Sequence, residues 1–217
     1  NFLNQELVDA LAGLPKVARY LHLPVQSGSN TMLKAMRRGY TTERYLARLE
    51  QLWAKAPDVE LHSDFIVGYP GETLADFEQT VAFAQRVGFA QGYVFQYSPR
   101  PGTVAADLVD SVPAAEKQRR CNALLEVQEQ LTLRHNQKLV GKTVEVLVEG
   151  DSKLAGRLSG RTIHHRLVHF ASDDLDLVGS YVPVRVTEAL AHSCVGERLP
   201  DDAAQEGAMD PAEAARS

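Results

Sequence analysis

The stretch Ser63-Asp-Phe-Ile-Val-Gly-Tyr-Pro-Gly-Glu-Thr73 runs from an apolar segment through a glycine- and proline-rich turn to the start of a helix. Thr73 can cap that helix, because Asp76 follows three residues later as a capping partner. Gly88 is suited to the exit of the helix. The apolar positions between them lie on one helical face: Leu74, Phe77, Val81 and Ala84. The stretch therefore predicts a strand, a tight turn and an amphipathic helix.

Similar units lie on both sides of this stretch. Apolar runs recur at comparable intervals, at Tyr20–Val25, Leu61–Val67 and Tyr93–Tyr97. Two helical patterns separate the first run from the second, and we expect them to end at Gly39 and before Pro57. Alternation of strand and helix at this spacing predicts parallel strands joined by right-handed crossovers. Because three strands cannot close a barrel, the prediction is a partial, half TIM-like α/β barrel.

Small, polar or charged residues follow each predicted strand, in the segments His22–Ser29, Ser63–Thr73 and Tyr97–Thr103. In an α/β barrel the loops at the C-terminal ends of the strands build the active site. The side chains of Gln26 and Ser27 can bond the hydroxyl groups of a sugar. Arg100 stands between two prolines on a restrained loop, which suits an anionic partner. The three segments together predict a ligand site.

Simpler structural roles for the same residues stay open. Gly68–Thr73 is also the pattern of a plain turn between a strand and a capped helix. Gln26 and Ser27 could form a turn and cap a helix that starts near Asn30. His22, close to the centre of a predicted strand, is expected to be a packed, hydrogen-bonded core histidine.

The second half of the chain has a different pattern. A long helix is predicted over residues 113–139, where it connects the α/β part to the C-terminal part of the chain. Residues 140–199 are predicted to form a small all-β barrel akin to an OB fold, because short apolar runs alternate there with glycine and aspartate turns. The predicted strands centre on Val144–Val148, Leu158, Leu167–Phe170 and Tyr181–Val186. Residues 200–217 lack periodicity and are predicted to be disordered.

Composition limits the possible functions. The net charge of −5 gives no support to a broadly basic surface, so any contact with nucleic acid must be local. Cys121 and Cys194 are too few and too far apart to hold a metal cluster by themselves, and we expect one buried and one half-buried thiol. No signal peptide or membrane-spanning run is present, which favours a cytoplasmic protein without a membrane partner. Since the chain starts at Asn1, we expect it to be part of a longer protein.

Four motifs, in order along residues 1–112, resemble the radical S-adenosylmethionine methylthiotransferases. They are His22-Leu-Pro-Val-Gln-Ser-Gly-Ser29, Met36-Arg-Arg-Gly-Tyr-Thr41, Asp64-Phe-Ile-Val-Gly-Tyr-Pro-Gly-Glu-Thr73 and Tyr97-Ser-Pro-Arg-Pro-Gly-Thr103. The residues of these motifs are similar to those of the family branch that acts on isopentenyladenosine in tRNA. The resemblance implies that residues 1–112 are the C-terminal part of a radical S-adenosylmethionine barrel.

The resemblance also implies roles for single residues. Gln26 and Ser27 are similar to positions that face the ribose of S-adenosylmethionine, and three others, Ile66, Val67 and Gly68, to a segment that packs on its adenine. Three more would face either the cofactor adenine or the substrate nucleotide: Tyr97, Ser98 and Arg100. No catalytic residue is assigned.

A second resemblance covers residues 140–199. The segments Gly141–Val146, Gly160–Phe170 and Gly179–Val184 are similar to a TRAM domain, a small RNA-binding barrel. It implies that the anticodon stem-loop of tRNA is a partner. A locally basic patch for its phosphates is expected at Arg157, Arg161 and Arg166. A solvated polar face without RNA contacts is the alternative.

The chain departs from the methylthiotransferase family in its cysteines. The family holds two 4Fe–4S clusters, through a Cys-x-x-x-Cys-x-x-Cys motif and a three-cysteine N-terminal domain, and this sequence has neither. No metal ligand is therefore expected here, and the chain alone is expected to be inactive. Alternative functions are a methylthiotransferase acting on threonylcarbamoyladenosine or on a ribosomal-protein aspartate, and a stand-alone RNA-binding module.

Overall fold

A computed structural model of the chain describes residues 3–200. Two compact units divide these residues: 3–9, 21–56 and 60–131 form the first, and 10–20, 57–59 and 132–200 form the second. The predicted tail begins at Pro200, and the rest of it lies outside the described residues. Within the described part of the chain, no helix is long and apolar enough to cross a membrane.

The three predicted strands near the start of the chain form one sheet, which confirms this part of the fold. They are β1 (Tyr20–His22), β2 (Glu60–Val67) and β3 (Gln91–Gln96), and they lie side by side in that order. β2 and β3 are parallel, and a parallel bridge between Gln26 and Phe65 continues the pairing beyond β1. The C-terminal ends of the strands therefore meet at one edge, as the barrel prediction requires.

Four helices accompany the sheet: α1 (Gln5–Gly13), α2 (Asn30–Ala35), α3 (Thr42–Lys55) and α4 (Leu74–Val87). The predicted capping box of α4 is present, since the Thr73 hydroxyl accepts from the Asp76 N–H and the Asp76 carboxylate accepts from the Thr73 N–H. Gly88 ends this helix in the left-handed conformation, with φ 68°. The cap and the exit predicted for this helix are both confirmed.

The end of α2 differs from the prediction. Gly39 does not end the helix, because the chain already turns at Arg37, whose φ of 56° is left-handed. The Arg37 N–H donates to the Lys34 carbonyl and the Arg38 N–H to the Leu33 carbonyl, which is the Schellman pattern of hydrogen bonds. Glycine is the usual residue at such a position, and an arginine there stores roughly 1–2 kcal/mol of backbone strain.

The long helix α5 (Ala114–Gln137) follows a short 3₁₀ turn at Val104–Asp107. Cys121 and Leu124 are buried on its apolar side, as the sequence pattern predicts. Gln128 is buried too, and its side-chain amide donates to the Phe89 carbonyl at 2.9 Å.

The predicted small barrel is confirmed, and it is closed. Five strands form it, and their order around the barrel is β4-β5-β6-β8-β7. Their bounds are β4 (Thr143–Asp151), β5 (Arg157–Arg161), β6 (Leu167–Ala171), β7 (Tyr181–Ala189) and β8 (Cys194–Arg198). Valines, Leu158 and Phe170 fill its interior. Gly160 lets β5 lie close to β4, since a Cβ on this residue would be 2.1 Å from the Leu147 carbonyl oxygen. The sequence pattern did not predict β8.

Candidate functional site

A cavity of about 700 Å³ lies at the C-terminal ends of the parallel strands. It contains residues from all three predicted segments, which the sequence separates by up to about seventy positions. Its wall includes Gln26, Arg38, Asp64, Ile66, Tyr69, Phe95, Tyr97, Ser98 and Arg100. The candidate site thus lies where an α/β barrel places its chemistry.

Gln26 is the most unusual residue of this wall. Its φ is 71°, in the left-handed region that side-chain-bearing residues rarely adopt. Two backbone hydrogen bonds hold it in place, one from its N–H to the Asp64 carbonyl and one to its carbonyl from the Ile66 N–H, both at 2.9 Å. The side chain is buried, lines the cavity and makes no hydrogen bond to any residue between 3 and 200. A strained residue whose amide lines a cavity without a protein partner is typical of a ligand site.

Ser27 lies in a different environment from its neighbour. It is fully buried, is not part of the cavity wall, and its hydroxyl bonds the Thr80 hydroxyl at 3.1 Å. The Gly28 N–H also donates to Thr80, at 3.0 Å, and the Ser29 hydroxyl donates to Asp76 at 2.6 Å. Burial raises the pKa of Asp76, but the hydrogen bonds from Ser29 and Thr73 outweigh it and leave the pKa below its ordinary value. The predicted ribose contact is therefore supported for Gln26 and not for Ser27.

The turn after β2 is held by a buried ion pair. The Gly68 N–H donates to Oε2 of Glu72 at 2.7 Å, and the same oxygen accepts from Nη1 of Arg120 at 2.7 Å. Gly68 has φ 71°, and a Cβ on it would lie 2.3 Å from Cγ of Lys117. Val67 is fully buried, and neither it nor Gly68 lines the cavity, whereas Ile66 does. Of the three predicted adenine contacts, the geometry supports Ile66.

The three predicted substrate residues all line the cavity. The Tyr97 hydroxyl donates to the Ala105 carbonyl at 2.7 Å, which folds the loop after β3 back on itself. The Tyr97 ring also meets Tyr69 edge to face, with centroids 5.1 Å apart. Within the loop, Thr103 donates to the backbone carbonyl of Arg100, so the Arg100 backbone is fixed in a turn. Ser98 lines the wall between these residues.

His22 is not a packed core histidine, so that expectation was wrong. Its side chain is 38% exposed, and Nε2 lies 3.1 Å from Oδ2 of Asp64. Asp64 lines the cavity, and no role was assigned to it from the sequence. Arg38 was missed in the same way, although it stands inside the motif that begins at Met36. Both residues lie in stretches that the sequence analysis singled out, but the local pattern does not show which side chains of those stretches face the cavity.

The predicted arginine patch of the small barrel is only partly present. Arg157 is half-buried, and Arg161 pairs with Glu149 at 3.3 Å and donates to the His165 carbonyl. Arg166 corrects the prediction, because it is only 6% exposed and donates from Nη1 to Asn136 at 3.1 Å. A buried guanidinium with such a partner is not available to phosphate groups.

The cysteines give no metal site in the described part of the chain. Cys121 and Cys194 are both buried free thiols, so the expected half-buried thiol is not found. Burial raises the pKa of Cys121 above its ordinary value, which disfavours the thiolate that metals need. No group of three or more His, Cys, Asp or Glu between residues 3 and 200 could hold a metal ion. These residues therefore do not fit an iron–sulfur cluster.

Comparison with known proteins agrees with this geometry. Residues 1–84 match the Radical SAM superfamily and residues 137–199 match the TRAM domain. The tRNA-2-methylthio-N(6)-dimethylallyladenosine synthase of Syntrophotalea carbinolica is 46% identical over 198 residues, which are 91% of this chain and 45% of that protein. The synthase of the same name from Chromobacterium violaceum is 48% identical over 202 residues, 93% of this chain and 45% of that protein.

The chain belongs to the radical S-adenosylmethionine methylthiotransferase family. This confirms the family that the four motifs predicted. The chain spans about 45% of the length of these methylthiotransferase relatives. The domain boundaries predicted at residues 112 and 140 stay predictions.

Proposed function

We propose that the chain is the part of a tRNA methylthiotransferase that holds S-adenosylmethionine and RNA. The reaction is addition of a methylthio group to C2 of N6-isopentenyladenosine beside the anticodon. The names of the relatives support this substrate over threonylcarbamoyladenosine or a ribosomal-protein aspartate. The observation that carries the proposal is the cavity wall, where the Gln26 amide, which makes no hydrogen bond within residues 3–200, lines the cavity together with Ile66 and the Tyr97–Arg100 loop.

The cavity fits the adenosyl part of S-adenosylmethionine. An amide such as that of Gln26 can both donate to and accept from a ribose hydroxyl, and the branched Ile66 offers an apolar contact to a purine face. When bound and reduced by an iron–sulfur cluster, S-adenosylmethionine supplies the radical chemistry of the family. The two 4Fe–4S clusters that we propose for the whole enzyme would need ligands from outside this chain. The residues of this chain that line the cavity bind and orient the cofactor.

The RNA-binding part of the proposal rests on the barrel of residues 137–199. Its eight Lys and Arg are matched by eight Asp and Glu, so we propose that it holds the stem-loop weakly and without sequence discrimination. Recognition of the adenosine would occur at the cavity, because proteins read RNA bases that are splayed out of the stack.

Replacement of Gln26 by alanine tests the cofactor site. The Gln26→Ala variant should bind S-adenosylmethionine more weakly by about 0.5–1.5 kcal/mol in isothermal titration, since one hydrogen bond to a neutral hydroxyl is lost. Gln91→Ala is a matched control, because Gln91 does not line the cavity and its amide already donates to the Tyr93 hydroxyl. If the two variants bind S-adenosylmethionine equally well and Gln26→Ala binds the stem-loop more weakly, the cofactor binds elsewhere.

A further inference from the structure

Two exposed arginines line the cavity, and neither has an ion-pair partner within residues 3–200. Arg38 and Arg100 are both exposed, and neither guanidinium makes an ion pair or a hydrogen bond to a residue between 3 and 200. The carboxylate in the wall, Asp64, already lies beside His22. The cavity wall therefore has two cations that are not used inside the described part of the chain.

The backbone around Arg38 is fixed. Its N–H donates to the Leu33 carbonyl at 2.8 Å, as part of the turn in which Arg37 is left-handed. Two residues later, the Tyr40 hydroxyl lies 3.2 Å from the carbonyls of Pro24 and Val25, to which it donates. The turn is thus tied both to α2 and to the segment that leads to Gln26. The strained residue is Arg37, next to Arg38, and strain of this kind clusters at functional sites.

An exposed ring accompanies the two cations. Phe95 lines the same wall and is 52% exposed, although it is a large apolar side chain. Proteins that bind single-stranded nucleic acid commonly combine aromatic rings, on which bases stack, with cations that meet the phosphates, and this cavity wall has both kinds of residue. Gln26, which lines the same wall, is by contrast an uncharged residue that is only 8% exposed. Small molecules are enclosed by buried residues of this kind, whereas a macromolecule meets the exposed ones.

We infer that Arg38, together with Arg100, binds the phosphodiester backbone of the RNA strand next to the adenosine that enters the cavity. The inference rests on the proposed function, and it adds a residue to which no role had been assigned. Arg38 acts here as a positioning cation, which fixes the register of the strand at the cavity mouth. It does not read the base.

The test uses the 217-residue chain and a synthetic anticodon stem-loop that contains N6-isopentenyladenosine. Arg38→Gln should weaken binding about fivefold at low salt and should flatten the plot of log affinity against log salt by about 0.7–1, because one fewer phosphate is neutralised. Arg44→Gln is the matched control, since Arg44 is exposed on α3 and lies outside the cavity wall. Both its affinity and its salt slope should stay close to those of the unmodified chain.

A second RNA identifies the group that Arg38 binds. Methylphosphonate linkages on both sides of the adenosine remove the charge of those two phosphates. The unmodified chain should lose affinity on this RNA, and Arg38→Gln should lose much less. If Arg38→Gln is as sensitive to the neutral linkages as the unmodified chain, the inference is wrong.

A third comparison separates RNA phosphate from the carboxylate of the cofactor. S-adenosylmethionine and methylthioadenosine, which lacks the carboxylate, should each bind Arg38→Gln as they bind the unmodified chain. Loss of affinity for S-adenosylmethionine alone would assign Arg38 to the cofactor and overturn the inference. Absence of stem-loop binding by the unmodified chain would instead contradict the proposed function itself, so the two failures are distinguishable.

Discussion

Removal of Arg120 should destabilise the α/β unit more than any surface change on the same helix. The Glu72 and Arg120 side chains are 0% and 6% exposed and meet at 2.7 Å. In an Arg120→Met variant the buried Glu72 carboxylate keeps a hydrogen bond only from the Gly68 N–H, because its second oxygen, Oε1, has no partner within residues 3–200. Loss of one member of a buried ion pair costs about 3–5 kcal/mol in the free energy of unfolding.

Urea unfolding measures this loss. Trp53, the single tryptophan, belongs to the same compact unit and reports its unfolding by fluorescence. Arg119→Met is the matched control, since Arg119 contacts Glu116 at the same 2.7 Å but its side chain is 54% exposed, and we expect little change there.

The destabilisation should also depend on pH. Burial raises the pKa of Glu72 above its ordinary value, and Arg120 opposes that rise. Without Arg120 the pKa of Glu72 in the folded state rises further. Folding of the variant is therefore favoured below the pKa that Glu72 has in the unfolded chain, where the carboxyl is neutral in both states. That stability is lost as the pH rises through the folded pKa. The deficit relative to the unmodified chain should therefore be small near pH 4 and full near pH 7. A deficit of the same size at both pH values, or equal effects in Arg119→Met, would refute the argument.

Three further predictions concern other parts of the chain. Arg37→Gly should raise the free energy of unfolding by about 1 kcal/mol, because glycine adopts the left-handed turn without strain, and a lower urea midpoint would contradict this. Anaerobic treatment of the chain with iron and sulfide should leave no stoichiometric cluster after desalting, and about four irons retained per chain would contradict it. Charge reversal of Arg157 and Arg161 should weaken stem-loop binding and flatten its salt dependence. Charge reversal of Arg166 should instead lower the free energy of unfolding, because that side chain is buried. If the Arg157 and Arg161 variant binds the stem-loop as the unmodified chain does at every salt concentration, the barrel is a structural cap.

Local signals in the sequence account for most of the fold. The helix α4 was predicted with its cap at Thr73 and its exit at Gly88, because capping depends on residues only a few positions apart. The end of α2 was predicted wrongly, since Arg37 takes the left-handed conformation that the rule assigns to glycine. The strand β8 was missed although β7, its antiparallel partner, ends at Ala189 just before it; its parallel partner β6 is more distant in the sequence. A run of five residues with a central Gly196 gives no period that would predict a strand.

The candidate site was predictable by segment and less so by residue. The three strand exits do meet in one cavity, because parallel strands bring their C-terminal ends to one edge. Which side chain faces the cavity depends on backbone conformation, and the left-handed φ of Gln26 separates it from the buried Ser27. The burial of Arg166 could not be read from the sequence either, because its partner Asn136 is thirty residues away. The resemblance to the family supplied motifs, and folding decided which of their residues face the cavity.

The hydrogen bonds that join the Gln26–Ser29 segment to α4 have a consequence for the thermodynamics of ligand binding. Ser27, Gly28 and Ser29 are all buried, and each is bonded to Thr80 or Asp76. A Cβ on Gly28 would lie 2.5 Å from Cβ of Phe83, so this glycine packs directly against α4. A preorganised segment has already lost its conformational entropy when the protein folds, and binding does not require that loss again. Amide hydrogens here should therefore exchange with solvent as slowly in the free chain as in its complex with S-adenosylmethionine.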